Sequence, residues 1–261
     1  MKDSKLMDAK QILVKIGKEI FEEPYSTFFF VDDPEANDLL NDLENNPHAF
    51  VIACFLDRLI KSERAWMIPY RINRAWGTFD MKILASKSLS DYKQVFKENS
   101  LHRFNDKMAE NCYKAIQRIH LDYDDNASNI WANKPSSARV VYRFLEFEGV
   151  GIKIATMATN LLARVFKVQF SDYYSIDVSP DVHVKRIMKR IGLVDENADN
   201  DKIIYKAREI NPTYPGIIDI ALWKISRELC KATKCDCEKC KLSNECIYNL
   251  KRNLKNSELK Y

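Results

Sequence analysis

The sequence predicts an almost wholly helical protein. Only six glycines and eight prolines interrupt its 261 residues. Apolar residues recur at three- and four-residue spacing through most of the chain, which is the spacing of amphipathic helices. The strict alternation that strands require is scarce. With 46% hydrophobic residues, the chain can fill one large domain or two small ones.

The apolar spacing predicts a succession of helices separated by polar, turn-forming segments. The longest such segment, 122–135, is expected to be a loop or a short helix. Apolar and aromatic residues on these helices are expected to lie in the core, for example Phe50, Phe55, Leu56 and Trp66. The helices are predicted at 7–21, 34–43, 49–59, 62–71, 91–98, 104–119, 136–145, 152–166, 182–191, 202–208 and 217–229.

Composition and charge narrow the class of protein. The chain has no stretch with the order of a signal peptide, and no apolar run approaches the eighteen or so residues that span a bilayer. We therefore expect a protein of the cytoplasm with no membrane partner. The net charge is +4, from 41 basic and 37 acidic residues. Basic residues gather at 181–190 and 231–241, which favours contact with a polyanion.

Cysteines are concentrated near the C-terminus. Five of the seven lie between Cys230 and Cys246. Four thiolates in a compact loop suit either tetrahedral zinc or an iron–sulfur cluster, and the asymmetric spacing favours iron and sulfur. Two disulfides are the third alternative, which an intracellular chain disfavours. The pattern C-x6-C-x2-C-x5-C joins Cys230, Cys237, Cys240 and Cys246.

Two glycines one residue apart predict a tight turn between two helices. Gly149 and Gly151 allow backbone N–H groups at the start of the following helix to approach a phosphate closely. Such a turn alone is weak evidence, because many helix–helix turns contain glycine. Lys153 lies two residues further on, in the first turn of that helix, and a lysine amine is a candidate nucleophile.

A carboxylate is predicted to cap a helix downstream. Asp181 begins the run D-V-H-V-K-R and has the position of an N-cap residue. Asp172 and Asp177 are rival carboxylates, but neither is followed by x-H-V-x-R. Asp181 is therefore preferred as the functional carboxylate.

In their order along the chain, the G-V-G-x-K turn, the D-x-H-V-x-R helix start and the cysteine pattern resemble the helix-hairpin-helix DNA glycosylases of the endonuclease III type. The resemblance covers roughly 49–246. It implies an all-α fold with a six-helix barrel domain at 38–165 and an iron–sulfur cluster domain formed by 1–37 and 166–261. It also implies a monomer, associated with the nucleoid, that binds double-stranded DNA containing a damaged base.

The resemblance also implies roles for particular residues. Lys153 would attack the sugar C1′, and Asp181 would be the essential aspartate. The four cysteines of the pattern would hold a 4Fe-4S cluster, which leaves Cys235 as a bystander. DNA contacts are expected from Leu59 at the place of a gap-filling residue, and from Gly149, Gly151, His183, Lys185, Arg186 and Lys239.

The chain departs from the family pattern at three places. Leu59 stands where relatives often carry a glutamine that fills the gap left by the flipped base. Glu148 puts an acid before the first glycine, where phosphate is expected to approach. The stretch from Lys153 to Asp181 is also longer, with an insertion around 168–179 that contains Phe170, Tyr173 and Tyr174 and could form a lid or a specificity element.

A lysine at position 153 favours a DNA glycosylase that also has abasic-site (AP) lyase activity in base excision repair. The alternatives are a monofunctional glycosylase with a silent lysine, a non-catalytic iron–sulfur DNA-binding protein, and a zinc-stapled nucleic-acid module.

Overall fold

A computed structural model describes residues 2–258, with side chains for 7–254. Helices account for 61% of the chain, and the described residues contain no strand, in agreement with the predicted all-α class. The helices are α1 Lys2–Glu22, α2 Pro34–Asn41, α3 Pro47–Leu56, α4 Ser62–Trp66, α5 Ile68–Trp76, α6 Met81–Ser86, α7 Leu89–Glu98, α8 Asn105–Asp122, α9 Ser137–Leu145, α10 Ile152–Arg164, α11 Val182–Ile191, α12 Asn200–Ile210, α13 Asp219–Glu228 and α14 Ile247–Glu258.

The helix bounds correct the sequence prediction at several places. The predicted helix 62–71 is two helices, because Pro69 lacks an N–H donor and is accommodated in the first turn of α5. Helices α6 and α14 were not predicted, since one is a short segment and the other follows the cysteines with a polar composition. The polar segment 122–135 contains one short 3-10 helix, Ala127–Ile130, as expected.

The chain divides into two compact units, Tyr25–Ser171 and Met1–Pro24 with Asp172–Tyr261. The predicted barrel of 38–165 lies within the limits of the first unit. Its assignment as a six-helix barrel, and that of the remainder as a cluster domain, stay predictions.

Helix α3 forms the centre of the unit Tyr25–Ser171. All ten of its residues are buried, which is typical of a helix that is apolar all round and surrounded by others. The ring of Phe50 packs edge-on against Phe166 with a centroid distance of 5.1 Å, and Phe30 stacks on Trp66 at 4.4 Å. The core positions predicted at Phe50, Phe55, Leu56 and Trp66 are confirmed by their burial.

The other unit is organised by helix α11, which packs on α13 and α14. Helix α1 lies so close to the 3-10 helix Pro215–Ile218 that a Cβ at Gly17 would come within 2.1 Å of the Ile217 carbonyl oxygen. The predicted insertion 168–179 includes the boundary between the units. Phe170, in the unit Tyr25–Ser171, is buried, and Tyr173, in the other unit, stacks on Tyr214 with a centroid distance of 5.0 Å.

Candidate functional site

Residues 146–151, called the hairpin below, connect helices α9 and α10, which pack against each other. The Val150 N–H donates to the Phe147 carbonyl at 3.0 Å and closes the turn. Gly149 has φ +86°, a conformation that only glycine adopts readily. Gly151 has φ −108° and ψ 176°, and a Cβ there would meet no atom within 4 Å. Gly149 is therefore needed for the turn, whereas Gly151 leaves an open approach to the backbone.

Lys153 is the second residue of α10, and its side chain is exposed. The N-cap of this helix is Gly151, so no side chain caps the first turn. The start of α10 thus combines uncapped backbone N–H groups, the positive end of the helix dipole and an exposed amine. This combination is suited to bind an anion such as a phosphate.

The acidic side chain that directly precedes Gly149, Glu148, is paired with basic neighbours. Glu148 forms ion pairs with Lys107 at 3.0 Å and Lys114 at 2.7 Å, and both lysines also pair with Glu110. Hydrogen bonds from Lys114 and Lys107 lower the pKa of the Glu148 carboxyl below its usual value. The hairpin therefore does not present an isolated negative charge.

Leu59 lies in a loop of residues 57–61, called the wedge loop below, and not in the predicted helix 49–59. Helix α3 ends at Leu56, and Leu59 has φ 59° and is 67% exposed. The wedge loop is held at Arg58. One Arg58 N–H donates to the Gly149 carbonyl oxygen at 2.6 Å, and the Arg58 carbonyl lies 3.0 Å from Nε2 of His102. The exposed apolar side chain of Leu59 thus lies on a loop that is hydrogen-bonded to the hairpin and to His102.

The predicted N-cap at Asp181 is confirmed. Its Oδ1 accepts hydrogen bonds from the N–H groups of His183 and Val184, both at 2.8 Å, at the start of α11. The rival Asp177 is buried and engaged by Arg208 in two hydrogen bonds of 2.8 Å. Asp172 accepts from the N–H of Tyr174 at 3.3 Å. Among the three, Asp181 is the carboxylate that lies at a helix N-terminus.

Helix α11 connects Asp181 with residues 230–246, called the cysteine loop below. Nδ1 of His183 lies 3.0 Å from Oγ of Ser226, and Arg186 donates to the same oxygen at 3.1 Å and to the Cys230 carbonyl at 3.2 Å. His183 and Arg186 therefore hold helix α11 against Ser226 and Cys230 within the protein. Their contacts with DNA, and those of half-buried Lys185 and exposed Lys239, stay predictions.

The cysteine loop brings five thiols together. Cys230, Cys235, Cys237, Cys240 and Cys246 are all free and line one pocket. The rest of its wall is largely apolar and includes Ile187, Ile191, Leu229 and Leu242. Burial raises the pKa of Cys240 and of Cys246 above the usual value. A raised pKa favours the protonated thiol. Coordination to a metal centre has the opposite effect, because a bound cysteine is held as the thiolate.

Among the residues with described side chains, no three His, Cys, Asp or Glu groups are arranged to hold one metal ion. The chemistry of the donors suits a 4Fe-4S cluster, in which each thiolate binds its own iron. Five thiols in a largely apolar pocket supply more than the four that a cluster requires.

Sequence reasoning missed two arginines that organise these elements. Arg58 binds the hairpin from a position 91 residues away, and Arg190 binds the cysteine loop. The only local signal for Arg58 is its position next to Leu59. The only one for Arg190 is its place in the basic cluster 181–190.

No family model matches the chain, and no curated protein matches it. Several solved structures match it. A trapped endonuclease III–DNA covalent intermediate has a TM-score of 0.62 at 15% identity, over 94% of this chain and 98% of that chain. A non-covalent endonuclease III–DNA complex has a TM-score of 0.64 at 16% identity, over 95% of this chain and 98% of that chain. A thermostable thymine-DNA glycosylase has a TM-score of 0.61 at 15% identity, over 93% of this chain and 97% of that chain.

The chain therefore has the same overall fold as these endonuclease III and thymine-DNA glycosylase structures. This confirms at the level of fold the resemblance read from the three sequence motifs. The described residues contain no helix both long and apolar enough to cross a membrane.

Proposed function

We propose that this protein is a DNA glycosylase with AP lyase activity that acts in base excision repair on double-stranded DNA. The observation that carries the proposal is the exposed Lys153 in the uncapped first turn of α10, directly after the hairpin. A hairpin that offers backbone N–H groups to a phosphate can bind DNA independently of its sequence. The two endonuclease III structures with the same fold are DNA complexes, one of them covalent.

The target base must leave the duplex before any chemistry occurs, at a cost of a few kcal/mol for unstacking. Leu59 is proposed to fill the gap in the stack, because an exposed apolar side chain on a braced loop can act as a wedge between bases. Its neighbour Arg58 joins that loop to the hairpin, so that wedge and phosphate contacts form together.

Asp181 is proposed to stabilise the sugar cation. Breaking the N-glycosidic bond leaves the electron pair on the departing base and positive charge on the sugar, and an ionised carboxylate stabilises that charge. The two N–H donors at the start of α11 hold one Asp181 oxygen in place.

Lys153 is proposed as the nucleophile. Its neutral amine forms a bond to C1′ as the bond to the base breaks, the base takes up a proton, and ring opening gives a Schiff base. Loss of a C2′ proton then expels the 3′ phosphate and breaks the strand. Water releases the sugar remnant and regenerates the amine.

The cysteine loop is proposed to bind a 4Fe-4S cluster through Cys230, Cys237, Cys240 and Cys246. When bound, such a cluster would cross-link the loop and keep its lysines, among them Lys239, in a fixed arrangement. Arg186 and Arg190 join this loop to α11, the helix that Asp181 caps.

Borohydride trapping on a duplex with one abasic site tests the lyase step. The expected result is a covalent protein–DNA adduct that Lys153→Ala abolishes and Lys82→Ala, at another exposed lysine, leaves intact. If no adduct forms but a lesion panel shows base release, the protein is a monofunctional glycosylase. If it releases no base and only binds DNA, it is a non-catalytic DNA-binding protein.

A further inference from the structure

The fifth cysteine of the cysteine loop is not isolated from the other four. Sγ of Cys235 lies 3.5 Å from Sγ of Cys230. The two residues also face each other across an isolated antiparallel β-bridge, which holds their backbones side by side. In the pattern C-x6-C-x2-C-x5-C, Cys235 is only a residue between two ligands. In the structure it lies beside Cys230, the first cysteine of the pattern.

Both sulfurs share one cationic partner. Nη1 of Arg190 lies 3.1 Å from Sγ of Cys230 and 3.1 Å from Sγ of Cys235. The same guanidinium is anchored by the carbonyl oxygens of Lys231 and Ala232, at 2.8 and 2.9 Å. The Arg190 carbonyl lies 3.4 Å from Sγ of Cys246. Arg190 thus contacts both sulfurs from a single position.

We propose that Cys230 and Cys235 are alternative ligands for one corner of the cluster. The inference rests on the cluster assigned under the proposed function. A 4Fe-4S cluster takes four thiolates, whereas five thiols line this pocket. Two sulfurs 3.5 Å apart can reach the same iron with a small side-chain rotation, and the displaced thiol remains beside Arg190. The chain therefore carries a reserve ligand at this corner.

Single and double substitutions test the exchange. The protein is purified without oxygen, and iron and acid-labile sulfide are measured per chain together with the visible spectrum. Cys230→Ser and Cys235→Ser should each retain more than about half of the wild-type iron, whereas the double variant should lose nearly all of it. Cys237→Ser is the matched control, because it removes a proposed ligand outside the Cys230–Cys235 pair, and it should also lose the iron.

Alkylation of the loaded wild-type protein gives a second readout. Trypsin cuts after Lys231 and Lys234 and so separates Cys230 from Cys235. Label should appear at both of these positions and amount to about one thiol in total, since four of the five are ligands. The buried Cys54 and Cys112 should react only after unfolding.

The outcomes separate this inference from the cluster assignment. Iron in the wild type with a Cys230→Ser variant as empty as the double variant would overturn the exchange and leave the cluster intact. Loss of iron in Cys235→Ser alone would overturn it as well. A colourless wild type that contains zinc or no metal would overturn the cluster assignment and the exchange together.

Discussion

Arg58 donates a hydrogen bond to the carbonyl oxygen of Gly149 at a distance of 2.6 Å. This bond joins the wedge loop to the hairpin within the unit Tyr25–Ser171. The position of exposed Leu59 therefore depends on the turn that is proposed to contact phosphate. We therefore expect binding of the DNA backbone at the hairpin and insertion of Leu59 to be coupled through the Arg58 side chain.

Replacement of Arg58 by alanine tests this coupling. We expect the variant to bind a duplex with an abasic-site analogue about five-fold more weakly, the equivalent of one hydrogen bond of about 1 kcal/mol. Fluorescence of 2-aminopurine opposite the site should show less unstacking at saturating protein. Arg71→Ala, at an exposed arginine of α5, is the control and should match the wild type. Equal unstacking by both variants would contradict the coupling.

The two hairpin glycines should respond differently to alanine. At Gly149 a Cβ would meet Nδ2 of Asn111 at 2.6 Å and Nη1 of Arg58 at 3.0 Å, with φ at +86°. We expect Gly149→Ala to lower the free energy of unfolding by about 1–3 kcal/mol. Gly151→Ala has open space and an ordinary φ. Its free energy of unfolding should fall by less than about 1 kcal/mol, since alanine is a poorer N-cap than glycine. It should bind DNA more weakly, because the methyl group obstructs the phosphate approach.

Removal of the hairpin acid should strengthen non-specific binding to DNA. Glu148 pairs with both Lys107 and Lys114, which also pair with Glu110, so Glu148→Gln removes one of the two negative charges that these lysines share beside the hairpin. We expect higher affinity for undamaged duplex and a salt dependence steeper by about one to two phosphate contacts. Glu196→Gln removes the same charge at an exposed residue of the other unit and serves as the control. An unchanged salt slope in Glu148→Gln would show that these lysines do not reach phosphate.

The predictable parts of the site are those that local sequence determines. A positive φ favours glycine at position 149, and a helix start favours aspartate at position 181, so both could be read from a few residues. The contacts of Arg58 with Gly149 and of Arg190 with Cys235 join residues 91 and 45 positions apart. Such pairs depend on how helices pack, and a single sequence carries no periodic signal for them.

The same reason explains the errors in the helix bounds. Leu59 extends the apolar pattern of α3, so periodicity alone places it in the helix. In the structure the Asp57 N–H donates to the carbonyls of Ala53 and Cys54, and Leu59 turns to φ 59°. The wedge loop is then held by Arg58 and His102, which no local pattern reveals. The exposed position of Leu59 follows from these distant contacts.

Stability should fall in mild acid because of a buried histidine. Burial lowers the pKa of the His48 imidazole, which lies 2.7 Å from the Phe79 carbonyl and stacks on the Phe79 ring. The unfolded chain binds a proton at about pH 6.5 and the folded chain only at lower pH, so stability is full above about pH 6.5 and declines below it. Urea unfolding measured at a series of pH values below about 6.5 should show the free energy of unfolding falling as the pH falls. The His48→Gln variant should show a smaller dependence on pH. The exposed His120→Gln is the control for the substitution.

Asp181→Asn separates the chemical role of this carboxylate from its structural one. Asparagine also caps helices well, so its side-chain oxygen can accept from the N–H groups of His183 and Val184 as Asp181 does. We expect a free energy of unfolding within about 0.5 kcal/mol of the wild type, whereas Asp181→Ala should cost about 1 kcal/mol. Base excision should be lost in both variants while duplex binding is largely retained, because a neutral amide cannot stabilise the sugar cation. Pre-formed abasic DNA should still be trapped by Lys153 in the Asp181→Asn protein. Excision at the wild-type rate by Asp181→Asn would remove the carboxylate from the proposed mechanism.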